Sequence, residues 1–166
     1  MLMKTRGRAL GVALLACLFS MVVANAQQRV ERPFKMTGHS QVVISFTEYC
    51  YPPSPGSPGS QYFPMGCPYA GRGEGVASHL GKVTTTDIGI FPLGAAVIIA
   101  ANGDQLLFSV NNATGLMEVN GGTGRFEGAT GVAIGTLTPD GEPVVDPVAG
   151  TLTQEFSWAA DGRIKY

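Results

Sequence analysis

Apolar residues in this chain recur at every second position in short runs, and no useful length of helical period appears after residue 26. The clearest run is GAAVIIAANGDQLLFSV, over 94–110. Asn102-Gly103 is a favoured pair for a two-residue type I′ hairpin, in which both central residues need positive φ. A turn there sets Ile99 opposite Leu106, Val97 opposite Phe108 and Ala95 opposite Val110 on one face. Ala100 with Gln105, Ile98 with Leu107 and Ala96 with Ser109 form the other face. Such a hairpin is apolar on both faces, so one side looks into a core and the other meets a further layer or subunit.

Cleaner alternation follows elsewhere. In QVVISFT, Val42, Ile44 and Phe46 share a face; in TLTQEFSW, Leu152, Phe156 and Trp158 do, with Thr151, Thr153, Glu155 and Ser157 opposite. Further strands are expected at 75–86, 115–120 and 131–138, separated by Gly, Pro, Asn or Asp clusters. Seven or eight short strands in a chain of this length indicate an all-β barrel or sandwich. Glycines inside the strands favour the barrel, because a strongly coiled, closed sheet needs bends and bulges.

The first residues break this pattern. Lys4, Arg6 and Arg8 precede an apolar run from Ala9 to Ala24 and an Ala24-Asn25-Ala26 site, the form of a signal peptide cleaved after Ala26. A lipoprotein site at Cys17 is the competing reading; the run stays apolar through Val23, where a lipoprotein would turn polar. The mature chain, 27–166, is one domain with no transmembrane span. Of 11 Lys and Arg, eight remain against 12 Asp and Glu, a formal charge of −4 that makes nucleic acid a poor partner.

Cleavage leaves Cys50 and Cys67, read as a disulfide across the Pro/Gly/Ser-rich loop at 51–66. A zinc site from these cysteines with His39 and His79 lacks any closely spaced ligand pair, so no metal is expected.

The segment NGGTGRFEGATG, 120–131, invites a phosphate-loop reading. Its G-x-G-x-x-x-G spacing misses the dinucleotide fingerprint by one residue, and a strand rather than a helix follows. It reads better as a strand connection in which Gly121, Gly122, Gly124, Gly128 and Gly131 supply the backbone freedom. Phe126 turns inward as a plug, and Arg125 stays outside.

Followed by the strand VAIGT, this glycine segment resembles the Gly-Gly-Thr-Gly-basic-Phe stretch of dirigent proteins and the allene oxide cyclase-like barrel superfamily; GEGVASHLGKVTT and AANGDQLLF are two further pieces of a wider likeness. The three pieces together look like a group of exported bacterial proteins placed there. The resemblance implies an eight-stranded antiparallel β-barrel with a central apolar cavity, assembled as a homotrimer. It rests on the structural glycine corner and transfers no activity.

Candidate chemistry is sparse. His79 and Arg125 are the polar site candidates, and Val97, Ile99, Leu106, Phe108, Phe156 and Trp158 the candidate barrel lining. His39 is placed before a strand. Asp104 is expected to bond turn backbone, and Arg125 to pair with Glu127 or Glu118. Asn112-Ala113-Thr114 fits a glycosylation acceptor in a eukaryotic secretory route. No serine sits in a nucleophile elbow. The expected function is an exported, non-enzymatic barrel that needs no cofactor and binds a small apolar or aromatic ligand. An isomerase or cyclase acting on an unsaturated lipid-like substrate is one alternative. A surface-interaction protein using the 50–67 loop is another.

Overall fold

The computed structural model describes residues 29–50 and 64–166. The expected signal peptide with Cys17, and most of the loop with Tyr51, Tyr62 and Phe63, lie outside the described residues.

The strands are β1 (Glu31–Ser45), β2 (Pro68–Ala77), β3 (Gly81–Ile90), β4 (Leu93–Ala100), β5 (Gln105–Asn111), β6 (Leu116–Gly122), β7 (Thr130–Pro139), β8 (Val144–Asp146) and β9 (Thr151–Lys165). Each pairs antiparallel with its neighbour in the order β1-β2-β3-β4-β5-β6-β7-β9-β8, and β1 pairs with β9 to close the ring. Closure runs from Glu31 opposite Lys165 to Ser45 opposite Thr151. β8 is the continuation of β7 along the same edge of β9. The chain bulges out at 140–143, where the buried Gln154 donates from Nε2 to the Gly141 carbonyl at 3.2 Å. The protein is therefore a closed eight-stranded antiparallel barrel, in which no strand keeps a free edge along its whole length.

Four local expectations are corrected. The run expected as one strand at 75–86 is two, β2 and β3, turning at 78–80, and His79 sits in that turn with φ 67° rather than on a strand. β1 begins ten residues before Gln41, so His39 lies inside a strand. Phe46 falls just past the end of β1 and is 43% exposed.

The fourth correction concerns the β4–β5 register. Ile98 faces Leu106 and Ala96 faces Phe108, a slip of one residue from the expected pairing. The turn has three residues: Gly103 N–H donates to Ala100 C=O at 2.9 Å, and Ala100 N–H donates to Asp104 C=O at 2.9 Å. Gly103 takes φ 88°, the left-handed residue of a type I turn with a bulge. Asn102 decides between the two loops by folding its side chain onto Asp104, with Nδ2 donating to Oδ2 at 2.9 Å and Oδ1 accepting the Asp104 N–H at 3.2 Å. The slip turns Ile98 and Ala100 inward and puts Val97 and Ile99 on the outer face.

Two apolar clusters pack inside the barrel. One, towards one end, gathers Phe34, Ile98, Leu106, Phe108, Phe126 and Ile164; the other holds Val42, Ile44, Cys67, Tyr69, Phe91 and Phe156. Each fully buried phenylalanine contributes roughly 1.5–3 kcal/mol by leaving water. The Cys50–Cys67 disulfide, with Cα atoms 4.7 Å apart, fastens residue 50 to the second cluster.

The glycine segment joins β6 to β7 through a single 3-10 turn, Gly124–Phe126, and no α-helix follows it. Phe126 is fully buried with its ring 4.8 Å from that of Tyr166, while Arg125 is exposed. Gly124 has φ 59° and lies against the Asp104 carboxylate, so a side chain there would be both strained and blocked.

Candidate functional site

Between the two clusters the barrel is hollow, with a cavity of about 510 Å³. The reason lies in β2. Its inward positions are Tyr69, Gly71, Gly73, Gly75 and Ala77, so three successive inner positions carry no side chain. Space that a normal strand would fill is left to long side chains from its neighbours.

Two aromatic rings use that space in the same way. Trp158 on β9 lies across Gly38 on β1 and Gly75 on β2, which share one register row. A Cβ on either glycine would stand 2.7 Å from Trp158 Cη2. Tyr69 on β2 lies across Gly89 on β3 and Gly94 on β4, again one row. A Cβ there would stand 2.8 Å from its Cε1 and 3.0 Å from its Cζ, respectively. Each ring lies flat along the wall instead of crossing the lumen.

Polar groups gather on the same side. Ser40 and Thr85 flank Gly73 from β1 and β3, and Asp87 follows Thr85 on the inner face, over Gly71. Tyr69 Oη accepts a hydrogen bond from Asn112 Nδ2 at 2.8 Å. The Asp87 carboxylate has no hydrogen-bond or ion-pair partner among the described residues. Burial pushes its pKa up from 3.8 to about 6. Tyr69 is pushed up to about 12, chiefly by burial; the Asn112 hydrogen bond opposes the shift and the nearby Asp87 adds to it. Met36, Val42, Ala96, Ile98, Val110 and Met117 supply the apolar wall.

An entrance follows from strand length. β6 begins at Leu116, opposite Ile134, and Gly135 N–H donates to Gly115 C=O at 2.8 Å; past that bond β7 runs on to Pro139 paired with β9. The gap is bordered by the β5–β6 turn at Ala113, Thr114 and Gly115 and by Ile134, Thr136 and Leu137 of β7. All of these line the cavity.

Of the residues singled out from sequence, Trp158 stands on the cavity wall. Leu106, Phe108 and Phe156 are buried in the flanking clusters rather than on the wall, and Val97 and Ile99 point outward. His79 and Arg125 are not on the cavity wall. His79 places Nε2 2.9 Å from the Pro33 carbonyl, with its ring 6.1 Å from Tyr166. Arg125 pairs with Asp104 at 3.2 Å rather than with Glu127 or Glu118, and lies 4.8 Å over the Phe126 ring. Both belong to the end of the barrel closed by Phe126 and Tyr166. His39 lies on the outer surface, 3.1 Å from Ser157 Oγ, which donates to Asp140 at 2.8 Å. Among the described residues no group of His, Cys, Asp or Glu has the arrangement of a metal site, and no helix is long and apolar enough to cross a membrane.

Asp87, Tyr69 and Asn112 were not foreseen as cavity residues; Asn112 was read as a glycosylation acceptor. The signal that carries them is GRGEG at 71–75, where glycine at alternate positions marks a strand whose inner face has been emptied.

No family model matches the chain, and no curated protein does. Among solved structures it is similar to a pterocarpan synthase dirigent protein, with TM-score 0.41 and 18% sequence identity over 79% of this chain and 85% of that one.

Proposed function

We propose that the protein is exported and binds a small molecule with an apolar or aromatic body inside the barrel. The observation that carries this reading is the cavity of about 510 Å³, walled by apolar side chains and Trp158 and bordered by the β5–β6 turn and β7. That volume falls within the roughly 300–1,000 Å³ typical of small-molecule sites. The disulfide and the signal-like first residues support export. Native mass spectrometry of the purified protein, followed by solvent extraction, tests the binding. The expected result is a bound small molecule that Ala96→Phe, which fills the cavity, excludes. An empty wild-type cavity that takes up no apolar probe would sink the reading.

An isomerase is the second reading, and Asp87 with Tyr69 is the observation that favours it. A carboxyl group with a pKa of about 6 beside a phenol can exchange protons with a bound substrate near neutral pH. Returning the extracted molecule to emptied protein distinguishes the two. An isomerase yields a product of equal mass and altered retention, and Asp87→Asn binds without converting; a carrier returns the molecule unchanged.

The expected homotrimer would use the outer face of β3, β4 and β5, where Ile88, Ile90, Leu93 and Leu107 are exposed beside Val97 and Ile99. Sedimentation equilibrium reads this directly, and a monomer at all concentrations would remove it.

A further inference from the structure

Resting on the cavity reading above, we propose that the ligand is an organic cation. It has a compact apolar or aromatic body and one amine nitrogen protonated at neutral pH, and that nitrogen seats on the Asp87 carboxylate.

The charge inventory of the cavity leads there. Of the described residues that line it, Asp87 alone carries a formal charge at neutral pH; no described lysine, arginine or histidine is among them. The half-buried carboxylate has no counter-charge among the described residues, and a cationic ligand would supply one. Burial is the cause that raises the Asp87 pKa.

The neighbouring groups fit the same chemistry. Ser40 and Thr85, flanking Gly73 beside Asp87, offer hydroxyl oxygens that accept further N–H bonds from an ammonium group. The flat Trp158 ring and the Met36 and Met117 thioethers form polarisable walls suited to the cation's organic body. An anionic ligand would meet an unscreened carboxylate in a confined space. A neutral one would leave the carboxylate uncompensated.

Titration follows from what faces Asp87. From β2 these are Tyr69 and Gly71, and from β4 Ala96 and Ile98, so among the described residues Tyr69 is the other titratable group in the cavity. With Tyr69 pushed up to about 12, ionisation between pH 5 and 7 belongs to Asp87. An amine with an ordinary pKa stays charged throughout that interval, so its binding strengthens as Asp87 loses its proton.

Trp158 is the chain's single tryptophan and stands on the cavity wall, so its fluorescence reports occupancy. The test titrates the full chain with 4-phenylbutylamine, 4-phenylbutanol and 4-phenylbutanoate, three probes of one shape and different charge. At pH 7 the amine is expected to bind tightest, by about tenfold over the alcohol. Its affinity is expected to rise about tenfold from pH 5 to pH 7. Asp87→Asn is expected to abolish both the preference and the pH dependence. Asp87→Ala serves as a second variant for the same comparison. Equal binding of the alcohol and the amine by the wild-type protein overturns the proposal, as does a preference that survives both variants. Either result leaves the cavity reading in place. Failure of all three probes to bind overturns both.

Discussion

The carboxylate of Asp87 occupies the space that a side chain at Gly71 would need: a Cβ on Gly71 would stand 2.8 Å from Asp87 Cγ and closer to both oxygens. Gly71→Ala is therefore expected to destabilise the barrel by about 1–3 kcal/mol in urea unfolding. Most of that cost should vanish in an Asp87→Ala background, because the clash is with that side chain. Strict additivity of the two substitutions would show that the contact does not govern the site.

The same carboxyl group predicts a pH dependence of stability. Its folded pKa is raised to about 6 from 3.8 by burial, so between those values the folded protein holds a proton that the unfolded chain has released. Stability accordingly falls as pH rises through this interval and levels off above it. Asp87→Asn, which carries no charge, should exceed the wild type by about 1–3 kcal/mol near pH 7.5 and match it near pH 3.5. Thermal melts at the two pH values measure this; an equal gap at both would contradict the assignment to ionisation.

Adjacent residues of the glycine segment should respond very differently. Phe126 is fully buried against Tyr166, and Phe126→Ala is expected to cost about 3–5 kcal/mol. The exposed Arg125 pairs with Asp104 at the surface, so Arg125→Ala should cost less than about 1 kcal/mol. Chemical denaturation of both variants checks the contrast, and comparable losses would contradict it.

Removing the disulfide, as Cys50→Ser with Cys67→Ser, should cost about 2–4 kcal/mol. Cys67 is 1% exposed and packs in the cluster that includes Tyr69, so the loss reaches the cavity wall. Reduction of the wild type should lower its melting temperature as far as the double variant does. A melting temperature unmoved by reductant would argue against any structural weight for the bond.

The all-β class was legible because the pleat imposes a period of two wherever one face meets a core, as at Val42 and Ile44 or Phe156 and Trp158. The signal faded where the core gives way to the cavity. The inner face of β1 passes from Phe34 and Met36 to Gly38 and Ser40, and β2 turns glycine inward, so the apolar alternation disappears where the lumen opens. The β4–β5 register was hidden for another reason. Asn-Gly serves both two- and three-residue loops, and the choice depended on hydrogen bonds between Asn102 and Asp104. Asp87 reads as one more polar residue in a threonine-rich strand until the register sets it over Gly71.

The pairing of β1 with β9 also sets the order of events when the chain folds. Among the described residues β1 is the first strand and β9 the last, so two fifteen-residue strands far apart in sequence must meet before the ring exists. Intermediate strands can zip up as successive hairpins, yet until β9 arrives the growing sheet keeps two unpaired borders and an uncovered inner face. Closure is therefore a late step with a large loop-entropy cost, and a chain truncated before Thr151 should aggregate rather than form a smaller barrel.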